Sequence, residues 1–274
     1  MRLLICSLSD IASVNIRNCL FKMNKWEPFG NDGKNEFRRF GDDVIMSIPE
    51  LHIYAENIDA EARSYGIVFD EVVFMSRHKA ASAIPTLTVH PIGNFNNADF
   101  GGRSRSLVKT AAASMTNALR EMSKIDTGEF KTSFEVTHHG PWLETPTYFI
   151  EIGSDETMWG NMHAAEMLAH VISLNDGNEF PTAVGIGGGH YAPRFSEIAN
   201  AFRINFGHMI PNYALEGSDD NDIIRMVSDA TKASGTKMVY LHRKSMKKPY
   251  AAHLTEILET EGFEIVSSKD LESL

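Results

Sequence analysis

Phe130-Lys131-Thr132-Ser133-Phe134-Glu135-Val136-Thr137-His138-His139-Gly140-Pro141 alternates apolar and polar positions up to Thr137 and then changes character. The period of two predicts a strand over Phe130–Thr137. Neighbouring strand side chains point to opposite faces, so His138 belongs with Val136 and Phe134, and His139 with Thr137 and Glu135. Both imidazoles reach one pocket only if the strand has already ended. Gly140 permits a turn and Pro141 cannot donate to a ladder, which makes that ending plausible.

Outward from this stretch, apolar β-branched runs alternate with helical periodicity. Strands are expected at Arg2–Leu8, Val68–Met75, Leu87–His90, Thr147–Ile152, Ala183–Ile186, Met238–Leu241 and Phe263–Ser267, with a hairpin of Phe37–Phe40 and Val44–Ile48 across Gly41-Asp42. Helices are expected at Ile11–Met23 with Asp10 as N-cap, Ala60–Tyr65, Leu107–Lys124, Glu156–Leu174, Pro193–Phe202, Asn221–Ala233 and Pro249–Glu261. Strands alternating with helices of this length imply an α/β fold, a three-layer αβα arrangement with a mixed, mainly parallel sheet. The 274 residues, with no repeat or convincing linker, are expected to form a single α/β domain over 1–274. The loop from Pro91 to Ser106, rich in Gly and Asn, is long enough to suggest function.

With 43% hydrophobic and 23% charged residues the chain is globular rather than disordered. No apolar run approaches the roughly 20 residues that span a bilayer, so no membrane partner is expected. The short apolar run at the N-terminus meets Asp10 at once and reads as a buried strand rather than a signal peptide. Cys6 and Cys19 form no CxxC pair and fit a reducing compartment, hence a cytoplasmic location. A net charge of −10 disfavours non-specific nucleic-acid binding. Even so, Arg38-Arg39, Arg77-His78-Lys79, Arg103 to Lys109 and Arg243 to Lys248 form short basic clusters that the fold can gather on one face.

P-loop, HExxH, GxSxG and paired CxxC signatures are absent. Gly185-Ile186-Gly187-Gly188-Gly189-His190 only superficially resembles a dinucleotide fingerprint. The informative pattern is where histidines fall. His78, His90, His138-His139, His190 and His242 all follow or end a predicted strand. Ligands of open α/β sheets bind beyond the carboxyl ends of strands, so these neighbourhoods are expected to meet on one rim. Gly187–Gly189 would let backbone N–H groups approach an oxyanion, assisted by the N-terminus of the helix from Pro193. Glu135 and Glu151 lie near the same rim. With the histidines they form a set that Zn²⁺ accepts, or they orient a catalytic imidazole without metal; spacing does not decide between these.

Taken together, Ser76-Arg77-His78-Lys79, Thr88-Val89-His90-Pro91 with Gly93-Asn94, Glu135 to Pro141, Pro146-Thr147 with Glu151-Ile152-Gly153, Gly185 to Pro193, and Gly207-His208 with Pro211 and Tyr213-Ala214-Leu215 resemble the D-aminoacyl-tRNA deacylases of archaeal and plant type. The resemblance runs from the first strand to about Lys248. It implies hydrolysis of the ester between a D-amino acid and the tRNA 3′ end, a zinc requirement, and a core like those of phosphorylase/hydrolase folds. Carried over residue by residue, it marks His78, His90, Glu135, His138, His139, Glu151 and His190. The expected division gives metal to His78, His90, His138 and Glu151, and catalysis to His138, His139, His190, Glu135 and the N–H groups of Gly188 and Gly189. Arg77, Lys79, Asn94, Tyr191, Arg243 and Lys244 would hold the tRNA acceptor end. His242 stands where the family is expected to carry an acidic residue, which weakens any role for it. A monomer is expected. Competing readings are a peptidyl-tRNA hydrolase or metallo-aminopeptidase-like hydrolase of the same fold group, and a non-catalytic tRNA-binding protein.

Overall fold

The computed structural model describes residues 1–81, 83–174 and 177–274, with only the backbone described at residue 31. Its strands are β1 (Arg2–Ser7), β2 (Glu27–Asn31), β3 (Glu36–Phe40), β4 (Asp43–Ile48), β5 (Glu71–Arg77), β6 (Thr86–His90), β7 (Gly93–Asn94), β8 (Ser106–Leu107), β9 (Lys131–Phe134), β10 (Thr147–Gly153), β11 (Thr182–Ile186), β12 (Asn205–Ile210), β13 (Met238–Leu241) and β14 (Glu264–Val266). The helices are α1 (Ile11–Met23), α2 (Ile58–Ser64), α3 (Ala112–Ile125), α4 (Glu156–Trp159), α5 (Met162–Leu174), α6 (Pro193–Ala201), α7 (Asn212–Leu215), α8 (Asp220–Ala233) and α9 (Lys248–Thr260). The larger sheet runs β2-β3-β4-β1-β5-β10-β6-β9, and the smaller runs β12-β11-β13-β14. The sheets are mixed and mainly parallel, with helices on both faces, as the alternation of patterns implied. They are two main sheets rather than one, with a separate two-stranded ribbon of β7 and β8.

The apolar runs explain the central strands. In β1 the alternate residues Leu4 and Cys6 enter a core with α1, α3 and α5, while Leu3 and Ile5 enter the opposite core with α2. A strand covered on both faces needs no polar alternation. Asp10 turns the chain into α1, its Oδ1 accepting from the N–H groups of Ala12 at 2.9 Å and Ser13 at 3.3 Å.

Some boundaries differ from the sequence reading. Leu107 does not begin α3, because Ser106–Leu107 pairs with Gly93–Asn94 and the Val108 N–H bonds the Ile92 carbonyl at 3.2 Å. The expected helix Glu156–Leu174 is two helices, the first stopping at Gly160. Strand β2 escapes the sequence pattern because Pro28 and Gly30 obscure its alternation. Strand β12 escapes it because Gly207 interrupts its apolar run, and a Cβ there would lie 2.2 Å from the Ser234 hydroxyl.

The direction of β6 decides where the site forms. It runs antiparallel to β10, with His90 opposite Phe149 and Thr88 opposite Glu151. His90 therefore does not end on the same rim as β5 and β10. It projects from the sheet face that also carries Glu151 and Phe149. The smaller sheet closes against this region: the Val136 N–H bonds the His190 carbonyl and the Thr137 N–H bonds the Met209 carbonyl, both at 3.0 Å. Among the described residues no helix is long and apolar enough to cross a membrane. Cys6 and Cys19 are free and buried.

Candidate active site

Regular strand pairing of β9 stops at Phe134, and His139 adopts a left-handed backbone with φ 45°. This is the early ending that the His-His pair required. The rings of His138 and His139 come within 4.4 Å of each other, centroid to centroid, and His90 lies 4.1 Å from His138. Phe149 stacks on His90 and fixes its plane.

All three rings share one orientation of protons. His90 Nδ1 lies 3.2 Å from the Pro91 carbonyl, His138 Nδ1 2.8 Å from the Val136 carbonyl, and His139 Nδ1 2.6 Å from the Gly140 carbonyl. A carbonyl only accepts, so each Nδ1 carries the hydrogen and each Nε2 presents a lone pair. Ligand atoms of the three rings lie within 4.8 Å of one another. Burial pushes His90 down to about 4, His139 down to about 3, and His138 well below the ordinary imidazole range, so all three are neutral at pH 7.

Beside this trio stand two carboxylates of opposite behaviour. Glu135 is fully buried, with Oε2 2.9 Å from His190 Nε2, 3.2 Å from His78 Nδ1 and 3.6 Å from His138 Nε2. Its burial alone would raise its pKa, but the imidazoles of His190 and His78 overcome that and hold it well below the carboxylate range. Neither Glu135 oxygen has a donor aligned for a regular hydrogen bond, and His90 Nε2 is likewise unpartnered. Glu151 Oε2 lies 3.7 Å from His78 Nδ1 and 3.6 Å from His90 Nε2. Burial, and then the charge on Glu135, push Glu151 up to about 8. The two carboxylates are thus pushed in opposite directions, a split that suits acid and base work. His78 Nε2 meets the Tyr191 hydroxyl at 2.9 Å, so both of its nitrogens are engaged.

The structure gathers His78, His90, Glu135, His138, His139, Glu151, His190 and Tyr191 as the sequence suggested. Arg77 and Lys79 line the same cleft, Arg77 lying over Trp159 at 4.6 Å. Other expectations need correction. The Gly187 N–H is donated to the Ile210 carbonyl at 2.8 Å and the Gly188 N–H to the Ser245 hydroxyl at 3.0 Å, so neither is open to an oxyanion. A Cβ added at Gly189 would meet nothing within 4 Å. Arg243 lines a separate shallow groove with Thr255 and Glu256 of α9, and neither Arg243 nor Lys244 borders the histidine cleft. Asn94 borders the cleft, but its amide donates to the Gly101 carbonyl at 3.0 Å and so braces the 91–106 loop. His208 bridges the Thr137 hydroxyl and the Val108 carbonyl, a structural part.

Sequence reasoning missed His52, Asp10 and Phe100, all of which line the cleft. His52 sits on a 3₁₀ turn and has no strand-end position to announce it. Asp10 reads in sequence only as a cap, yet its Oδ2 also accepts the Arg77 N–H at 3.0 Å, tying β5 to α1 under the cleft. The signal for Phe100 was the length of its loop.

A sequence profile described as D-aminoacyl-tRNA deacylase matches residues 65–266. The D-aminoacyl-tRNA deacylase of Methanosarcina mazei is 33% identical, the alignment covering 98% of this chain and 92% of that one. That of Archaeoglobus fulgidus is 35% identical, over 98% of this chain and 97% of the relative. A crystal structure of a conserved protein of unknown function superposes with a TM-score of 0.88 at 33% identity, covering 99% of this chain and 96% of that one.

Proposed function

The chain belongs to the D-aminoacyl-tRNA deacylase family, and from that premise we propose that its histidine cleft hydrolyses the ester joining a D-amino acid to the 3′ end of a tRNA, with a zinc ion in attendance. It is a carboxylic ester hydrolase, and its products are the free D-amino acid and the tRNA. The role is quality control in the cytoplasm, carried out by a monomer.

One observation carries the zinc part: three neutral imidazoles each tie Nδ1–H to a backbone carbonyl, and their ligand atoms lie within 4.8 Å of one another. A hydrogen bond from the far ring nitrogen is how proteins fix the tautomer and plane of a metal-binding histidine. His90 Nε2 and Glu135 Oε1, buried with no hydrogen-bond partner, are groups whose burial is costly unless something satisfies them, and a cation does so. The donor set of nitrogen and carboxylate oxygen suits zinc. His90, His138 and His139 would hold it. Bound there, zinc would supply a Lewis acid and a water of lowered pKa.

The chain's own residues do the rest. Glu135, ionised and clamped by His78 and His190, accepts a proton from the attacking water. Tyr191 steadies His78 through its hydroxyl. Glu151, whose carboxyl burial and the charge on Glu135 push toward its protonated form, would give a proton as the ribose oxygen departs. An aminoacyl ester is already activated, so positioning carries most of the rate.

Hydrolysis of D-aminoacyl-tRNA, L-aminoacyl-tRNA and peptidyl-tRNA should be followed side by side, before and after metal removal. Release of the D-amino acid alone, lost on chelation and restored by zinc, is expected. Preferential cleavage of peptidyl-tRNA would install the rival hydrolase. Tight tRNA binding without release of any amino acid would replace both with a binding protein. Full activity of metal-free protein would remove zinc.

A further inference from the structure

The cleft is divided. Two hollows of about 310 and 350 Å³ share His138, His139 and Phe100 as a common wall. Their charges differ. The first is bordered by Arg77 and Lys79. Its buried acids face inward: Asp10 accepts backbone N–H groups of Ala12, Ser13 and Arg77, and Glu151 turns to His78 and His90. The second, among the described residues, has no lysine or arginine on its lining and is walled by Phe95, Phe100, Tyr213, Pro211 and Asp99.

Phe100 and Tyr213, 66% and 51% exposed, both present their rings to this second hollow. Phe100 is held in place. Its carbonyl accepts the Gly140 N–H at 3.0 Å, and the Gly102 N–H is donated to Glu56 at 2.9 Å. Gly101 between them passes so close to the chain that a Cβ would lie 1.8 Å from the Ile53 carbonyl oxygen.

Resting on the deacylase reading, we propose that the substrate straddles the His138–His139 wall, with the tRNA terminus on the Arg77–Lys79 side and the aminoacyl group in the hollow between Phe100 and Tyr213. An aminoacyl-tRNA is a polyanion at one end and an α-ammonium at the other, with the scissile ester between them. Phosphodiesters match the cationic border, and the ammonium matches Asp99 with the flanking aromatic faces. The ester then falls at the shared wall, against His138, whose Nε2 lies 3.6 Å from Glu135. Phe100 and Tyr213 are specificity-determining residues for the amino-acid side chain, and Arg77 and Lys79 for the nucleic-acid end.

The test compares kcat/KM for D-phenylalanyl-tRNA and D-alanyl-tRNA across a salt series, in wild type, F100A, Y213A and an R77Q/K79Q double variant. In F100A and Y213A the preference for the aromatic substrate should fall by about tenfold, the worth of one aromatic pairing, with the salt slope unchanged. In R77Q/K79Q the salt slope should drop by about 0.7 for each phosphate no longer neutralised, with the amino-acid preference kept. The exposed positions of Phe100 and Tyr213 make misfolding a small concern, and circular dichroism checks it. The reverse pattern, or an amino-acid preference untouched in F100A and Y213A, overturns the assignment while leaving the deacylase reading standing. A wild-type protein that cleaves neither substrate overturns the reading itself.

Discussion

The histidine cluster and the glycine turn both pointed in sequence to chemistry, and they end up in opposite states. Around Glu135 the structure buries carboxylate oxygens and an imidazole nitrogen without aligned partners. Around Gly187 and Gly188 the N–H groups that could meet an oxyanion are already spent on Ile210 and Ser245. Unpaired polar atoms in a buried place are tolerated only for a reason, whereas a satisfied turn needs none. The cluster is built to receive something, and the turn is built to hold β11, α7 and the 3₁₀ turn at Arg243–Ser245 together.

The comparison breaks most visibly at Glu135. E135Q keeps the shape and removes the charge, and turnover of D-aminoacyl-tRNA should fall at least about a hundredfold with the fold intact. Wild-type turnover would move the chemistry elsewhere. Next, H90A and H138A should each lose stoichiometric zinc, read by metal analysis of the purified protein, and with it activity. Retained zinc in both would take these rings out of the metal set.

A smaller effect is expected at the turn. S245A removes the partner of the Gly188 N–H and should cost about 1 kcal/mol of stability in urea unfolding, with kcat/KM nearly unchanged. A large loss of kcat with normal stability would restore the oxyanion role to that backbone. A purely structural contrast comes from His208, buried and held neutral between sheets, its pKa pushed down by burial to about 4. The unfolded chain binds a proton there near 6.5, so the native state holds fewer protons between these values. Its contribution is full above about pH 6.5 and lost as pH falls toward 4. H208Q should flatten that part of the stability profile, and an unchanged slope would assign the acid sensitivity to other groups.

Much of the site was legible because strand ends leave a mark in sequence. Apolar runs stopping at His90, His138 and His190 located most of the cluster, and Gly140-Pro141 foretold that the His-His pair would leave the strand. The direction of β6 was not legible, since an apolar run carries no sign of which way it runs in the sheet. His90 consequently reaches the site from the sheet face rather than from its rim. His52 gave no pattern because a single 3₁₀ turn has no period to read. The spent donors of Gly187 and Gly188 depend on Ile210 and Ser245, residues far along the chain that no local motif can supply. Arg243 and Lys244 looked like part of one basic face, but the smaller sheet carries Arg243 to another groove.

The most direct measurement titrates metal-free protein with zinc while recording bound zinc per chain and release of D-amino acid from D-aminoacyl-tRNA, for wild type and E135Q together. Activity should rise in proportion to bound zinc in the wild type and stay near background in E135Q at any occupancy. Full turnover at zero zinc, or equal turnover in E135Q, would contradict a catalytic centre made from these histidines and Glu135.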